Sequence, residues 1–378
     1  PYVIKTVAGK KIGIVGYTTE DTPMLSSVPK DVVFENIEAS VRAAIKELSD
    51  MGVNKIIALS HSGFNKDVDV AKNVSGLDLI ISGHTNTYLS NIDPKAEGPY
   101  PTVIKSPAGE PVLIVSALAW GKLLGKIDVS FDKKGVAIDW EGEPIVLDAS
   151  VKEDETILAD VKKFNQPLIQ LRTKVIGRTD SLLDGDFSRC RFIECTLGDV
   201  ATDAFLWSGK QQGVQVAIQN GGGIRSSIPK GKVTMGHVLE AFPFSNTLST
   251  FKLKGEVLKK VLEHGVSRAD SPKNEGTGRF LQVSGLQYQY DPALSVGNRV
   301  KNIQVKQRNG SYVPLNLNKV YTVVTNDFIR KGGDGYSMLK QHAIDPYDYG
   351  PMLSDVVREY IKSQTLIKQR IEGRIQRK

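Results

Sequence analysis

The sequence predicts an α/β protein of two domains, with a parallel sheet in the first and an α+β arrangement in the second. Three observations predict it. A chain of 378 residues exceeds what one ordinary core organises. Apolar strand and amphipathic helix alternate up to Ser82, as a parallel sheet with crossovers requires. A segment without strand signal, 152–171, then separates this region from a second run of strands and helices. The expected boundaries are 1–150 for the first domain, 151–173 for a linker helix and 174–378 for the second domain.

Taken in order, Ile12–Tyr17 (IGIVGY) is a short apolar run, the mark of a buried strand. Ile37, Val41, Ala44, Ile45 and Leu48 recur at helical spacing and form one apolar stripe. Lys55–Ser60 (KIIALS) and Leu77–Ser82 (LDLIIS) give two further strands. After Gly109 the pattern changes: VLIVSAL, GKIDVSFD and VAIDWEG are expected as antiparallel additions joined by short turns. Glu153-Asp154-Glu155 opens the connecting helix with the acidic residues its dipole favours, and Pro167 interrupts it or sits in its bend. The second domain is expected to hold helices near 197–208, 233–242, 255–266 and 352–363. Its strands are expected near 215–219, 247–253, 281–290, 299–305 and 320–325.

Composition narrows the function classes. Hydrophobic residues at 40% and charged residues at 24% are ordinary for a globular chain. No run of 18 apolar residues exists, which removes a helical membrane span. The net charge of +7 could suit nucleic acid, but the Lys and Arg are scattered without aromatic interleaving, so nucleic-acid binding ranks last. Cys190 and Cys195 are close enough to close one small loop as a disulfide, or stand as two thiols in a reducing compartment. The sequons Asn73-Val74-Ser75 and Asn309-Gly310-Ser311 favour a secretory route.

Two histidines occupy one topological position. His61 follows the strand KIIAL and His84 follows LDLIIS. The carboxyl rim of an open α/β sheet is where ligands bind, and neighbouring strands lie about 4.8 Å apart, so two strand-end imidazoles can share one cation. Imidazole suits zinc and related metals, and Asn86 can add an amide oxygen. A catalytic metal pair needs more ligands, including a bridging carboxylate. Those are expected upstream of Pro1. His237 and His264 are read as structural, His264 gaining from the dipole at a helix C-terminus.

The second domain carries two Gly-rich turns. VQVAIQ ends in Asn220-Gly221-Gly222-Gly223-Ile224-Arg225, where glycines permit close backbone approach and positive φ, and an Arg can grip phosphate bidentately. It is neither a Walker loop nor GxGxxG. YTVVTN leads into Asp327-Phe328-Ile329-Arg330-Lys331-Gly332-Gly333-Asp334-Gly335. There a carboxylate can accept ribose hydroxyls and an aromatic can stack a base. Phe242-Pro243-Phe244 and Cys190-Arg191-Phe192 add a loop aromatic and another Arg. Together these form a candidate nucleotide site; the alternative on physics alone is four unrelated loops.

The stretches GIVGYTTEDTPMLS, NKIIALSHSGF, GHTNTYL, CRFIECTLGDV, QNGGGIRSSI, FPFSNT, GRFLQVSGL, NDFIRKGGDGY and RIEGRI, in this order along essentially the whole chain, resemble the 5'-nucleotidase family, including its animal ecto-enzymes and secreted apyrases. The resemblance implies a calcineurin-like metallophosphatase sandwich with mixed sheets, N-terminally incomplete, followed by a nucleotide-binding domain. It implies His61, His84 and Asn86 as ligands of two divalent metal ions, zinc by expectation. It implies Arg191 and Arg225 on the phosphate, Asn220 on the base, Phe244 and Phe328 sandwiching the base, Asp334 on the ribose, and a Cys190–Cys195 disulfide. The histidine that assists the transition state is expected upstream of Pro1, so no catalytic residue is assigned within the chain.

The implied function is metal-dependent hydrolysis of nucleoside 5'-phosphates, AMP first and then ADP or ATP. The alternative is a nucleotide-binding protein without catalysis, because the family's first metal motifs are not in this sequence. The implied setting is extracellular or secretory, with a nucleotide as partner, no nucleic acid, and a homodimer through the second domain. No hydrophobic tail of the GPI-anchor kind follows RIEGRIQRK.

Overall fold

The apolar stripe of residues 37–48 finds its partner on a sheet. In the computed structural model, which describes residues 2–25, 31–270 and 277–378, the helix Ile37–Asp50 buries Ile37, Val41, Ala44, Ile45 and Leu48. Asn36 caps it, its side chain accepting from Ala39 N. The stripe packs on Val15, Ile56, Ala58, Ile80, Val112 and Ile114, alternate residues of neighbouring strands. Their opposite face carries Leu79, Leu113 and Val115 against Val129, Ala137 and Trp140 of the hairpin Ile127–Phe131 and Ala137–Gly142. One mixed sheet is thus covered on both sides.

Pro1, Ser26–Lys30 and Ser271–Gly276 lie outside the described residues, and so do the ligands expected upstream of Pro1. The sheet has six strands in the order Tyr2–Val7, Lys10–Thr18, Ile56–His61, Leu79–Ile81, Pro111–Val115, Thr102–Lys105. The central pairings are parallel and the two outer ones antiparallel. One expectation needs correction. VLIVSAL is no antiparallel addition: Pro111–Val115 lies parallel to Leu79–Ile81 and is nearly all buried. Its continuous apolar run is what a strand buried on both faces requires.

The chain divides into two compact units, Pro1–Asp154 and Glu155–Lys378. The helix Glu155–Thr173 opens the second unit, keeps Pro167 inside it and buries none of its residues. In this unit a five-stranded sheet runs Leu281–Ser284, Val216–Asn220, Val320–Asn326, Leu248–Lys254, Ile344–Tyr347. Alternate residues face two cores: Ala217 and Val324 pack with Leu197, Val200 and Phe205 on one side. Val216, Ile218 and Val323 pack with Leu258, Val261 and Tyr336 on the other.

The strand expected over 281–290 is two strands in two sheets. Leu281–Ser284 pairs with Val216–Asn220, whereas Leu286–Tyr290 joins a four-stranded sheet beside Val300–Lys306 and Ile375–Arg377. The break is Gly285, at φ 77, where any Cβ would stand 2.0 Å from the carbonyl oxygen of Gln215. Only glycine fits both demands.

Candidate active site

In the first unit the strands ending at His61 and Ile81 are parallel neighbours. Ser60 and Ser62 are buried while His61 between them is exposed, the alternation of a strand end. Gly63 turns the chain at φ 99. Gly83 serves by close approach: a Cβ there would meet Ser60 O at 2.9 Å and His61 Nδ1 at 3.2 Å. The imidazoles of His61 and His84 consequently lie with ring centroids 5.1 Å apart at 67°.

Two ring nitrogens bound at about 2.0–2.1 Å to one tetrahedral ion would hold their rings roughly that far apart, so the pair fits one divalent metal. His84 and Asn86 both take left-handed backbone, φ 79 and φ 56, uncommon for non-glycine residues and concentrated at functional sites. Asn86 is exposed. Among the described residues no group of three or more His, Cys, Asp or Glu gathers to hold a metal. The residues present therefore fit part of a ligand set.

In the second unit, Val216–Asn220 and Val320–Asn326 run parallel as neighbours, so both Gly-rich turns leave the same sheet edge. Asn220 Nδ2 donates to Asp334 Oδ2 at 2.6 Å, and Asn326 Nδ2 donates to Asn220 Oδ1 at 2.9 Å. Asn326 also donates to Gln219 Oε1 and caps the helix Asp327–Arg330, accepting from Ile329 N. Asp334 is buried with φ 54, and its main-chain oxygen meets His264 Nε2 at 2.9 Å. Burial pushes the Asp334 carboxyl up, while Asn220, Arg279 and Arg191 pull it down.

None of the glycines of the NGGG turn has positive φ; their role is steric. A Cβ on Gly221 would lie 2.3 Å from Cys190 O, one on Gly223 2.3 Å from Gln219 Nε2, and Gly222 packs on the backbone of Gly278. Gly333 likewise admits the ring of Phe328, 2.5 Å from where a Cβ would stand. Cys190 and Cys195 are joined as a disulfide, S–S 2.03 Å, beside Arg191. Burial first, and Arg225 second, push the Arg191 guanidinium down to about 10. Its Nε is buried without a hydrogen-bond partner. Arg225 is exposed and lies over the Phe244 ring at 5.9 Å, and Phe244 is itself 47% exposed.

Sequence reasoning missed Gln219, Asn326 and Arg279. A Gln inside an apolar strand and an Asn opening a helix were the available signals. It also gave His264 a charge-dipole role. Burial instead lowers its pKa, and its ring packs edge-on to Tyr336 at 4.6 Å between centroids.

The fold defines a class, the two-domain metallophosphatases, which are hydrolases. Within that class the chain belongs to the 5'-nucleotidase family. Residues 175–341 match the family's model "5'-nucleotidase, C-terminal domain". The chain is 38% identical to the 5'-nucleotidase of Bos taurus, all of the chain aligning with 68% of that protein. It is 37% identical to the snake venom 5'-nucleotidase of Crotalus adamanteus, 99% of the chain aligning with 66% of that protein. The crystal structure of the 5'-nucleotidase precursor from Thermus thermophilus superposes with a TM-score of 0.94 at 39% identity, covering 100% of this chain and 74% of that one. The chain thus spans about two thirds of the length of these curated relatives.

Proposed function

We propose that the chain serves metal-dependent hydrolysis of nucleoside 5'-phosphates, AMP to adenosine and phosphate first, with ADP and ATP as further substrates. The observation that carries this reading is the junction of the two Gly-rich turns through Asn220 and Asp334, next to an arginine whose Nε is buried and unpartnered. A group so placed asks for an anionic acceptor.

Asp334 accepts the ribose hydroxyls. Phe244 and Phe328 sandwich the base. Arg191 and Arg225 neutralise the phosphate. The engagement of the Asn220 side chain on both sides supports a role in holding Asp334 still, besides the base contact that the family resemblance implies. In the first unit His61 and His84 hold one divalent ion and Asn86 contributes to a second, zinc by donor chemistry. When bound, the metal centre polarises the phosphate and supplies an activated water. We place the protein in the extracellular or secretory setting that the venom relative and the disulfide support, and expect a homodimer through the second unit.

A second reading is a nucleotide binder without hydrolysis. It is favoured by the lack, among the described residues, of further His, Cys, Asp or Glu gathered with the two histidines. Phosphate release from AMP, ADP and ATP with added zinc separates the two, measured on the chain and on its whole translated product. Turnover by either supports hydrolysis. No turnover, with adenosine still raising the melting temperature, establishes the binder.

A further inference from the structure

One fully buried acid has no part in the reading above. Asp67, on the helix Phe64–Asn73, is 0% exposed. Its Oδ1 accepts from Ser60 Oγ at 2.6 Å, Ser62 Oγ at 2.8 Å and Tyr17 Oη at 2.8 Å. Ser62 N donates to Ser60 Oγ, closing the arrangement. Burial pushes the Asp67 carboxyl up, with Ser60, Ser82, Ser62 and Tyr17 pulling it back, and neither Ser82 Oγ nor Asp67 Oδ2 completes a hydrogen bond. The hydroxyls come from three places: the two residues flanking His61, the neighbouring strand, and the residue two before His84.

This placement has a geometric consequence. Residues 60 and 62 face one side of a strand end and residue 61 faces the other. Drawing both serines inward onto one carboxylate oxygen fixes the backbone on either side of His61 and turns its imidazole outward. A second tie runs to the other loop: Phe64 N, at the start of the helix that carries Asp67, donates to Thr85 Oγ1 at 3.0 Å, the residue after His84. Both imidazole-bearing loops are thereby braced by one short helix.

We propose that Asp67 is a positioning residue for the His61–His84 pair, holding the two imidazoles at metal-binding separation from behind through Ser60 and Ser62. The proposal rests on the metal reading given above. Partners of this supporting kind are worth about 10–100-fold in metal affinity.

The test measures zinc affinity by chelator competition, and the visible spectrum with cobalt in place of zinc. It uses the chain, the double variant Ser60→Ala/Ser62→Ala, each single serine variant, and Asp67→Asn. The double variant is expected to lose about 10-fold or more in zinc affinity and to change its cobalt bands. Asp67→Asn keeps an oxygen able to accept the same hydroxyls and is expected to stay within threefold (roughly) of the parent. The singles supply a folded readout should the double fail to fold, with partial losses expected. Serine variants that melt as the parent does and bind zinc and cobalt unchanged overturn the proposal alone. A folded parent that binds no zinc overturns the metal reading together with it.

Discussion

The two units hold their candidate chemistry in opposite ways. In the first, the candidate side chains stand open and the order lies behind them: His61 and Asn86 are exposed and His84 is half-buried, while Ser60, Ser62 and Asp67 are buried. In the second, the key carboxylate is itself buried, with Asn220, Asn326 and Gln219 in the same buried network. A metal ligand needs an open lone pair and a fixed direction. A ribose or phosphate contact needs strength, and a desolvated charge makes stronger hydrogen bonds. The difference teaches that damage should stay local: variants of one unit should leave the other unit's ligand untouched.

The largest expected effect tests the first unit directly. His84→Ala removes an imidazole outright, so zinc affinity should fall by at least about 100-fold, beyond what losing a supporting partner costs. Adenosine binding by calorimetry should not change. Loss of both ligands together would break the comparison, because it would mean that the substitution acts through folding.

Next comes Asp334→Asn. The replacement keeps the shape, and asparagine tolerates the left-handed backbone at φ 54. What it removes is charge. Hydrogen bonds to a charged group contribute about 1.5–3 kcal/mol, so adenosine should bind roughly 10–100-fold more weakly, with zinc affinity unchanged. An unaltered adenosine affinity would sink the ribose assignment.

Gly333→Ala should act more gently. Its Cβ would sit 2.5 Å from the Phe328 ring, and the ring must give way. Losing a stacking partner costs about 1–3 kcal/mol, so a shifted ring should cost near the lower end, about fivefold to tenfold in adenosine affinity. The effect should vanish when Phe328 is already alanine, and a loss that persists there would place the strain elsewhere.

How much of this was legible in the sequence follows the same division. The helix stripe from Ile37 to Leu48 and the strands leading to His61 and His84 were readable, because burial on one face leaves a period in the chain. The parallel pairing of Pro111–Val115 was not, since partner choice is nonlocal. Nor was the split at Gly285: the apolar pattern runs through it, and the reason for the glycine is the carbonyl of Gln215, 70 residues away in the sequence. The Gly-rich turns were visible as composition, and close approach was expected of them; the positive φ expected beside it is not found in the NGGG turn. The NGGG glycines serve close approach to Cys190, Gln219 and Gly278, contacts that no local pattern encodes. Asn326 and Gln219 escaped for a like reason, their importance lying in each other.

The smallest expected effect concerns His264, the brace behind Asp334. Burial lowers its pKa first, the Asp334 main-chain oxygen opposes that shift, and Arg279 and Arg268 add to it. The unfolded imidazole titrates near its ordinary value of 6.5, and the folded one lower. The folded protein therefore binds fewer protons in this range. The stability His264 contributes is present above about pH 6.5 and is lost as the pH falls through its folded value, at no more than about 1.4 kcal/mol per pH unit. Asp334, whose carboxyl burial raises, pulls the opposite way. His264→Gln keeps an amide donor able to reach the Asp334 oxygen while removing the titration. Melting temperatures from pH 7.5 to 5 (approximately) should then fall less steeply for the variant than for the parent. Parallel curves would mean that the imidazole titrates alike in the folded and unfolded chain, and a steeper fall for the variant that it is held charged, as a helix C-terminus would favour; either outcome would mean that the second unit does not depend on a neutral ring behind its buried carboxylate.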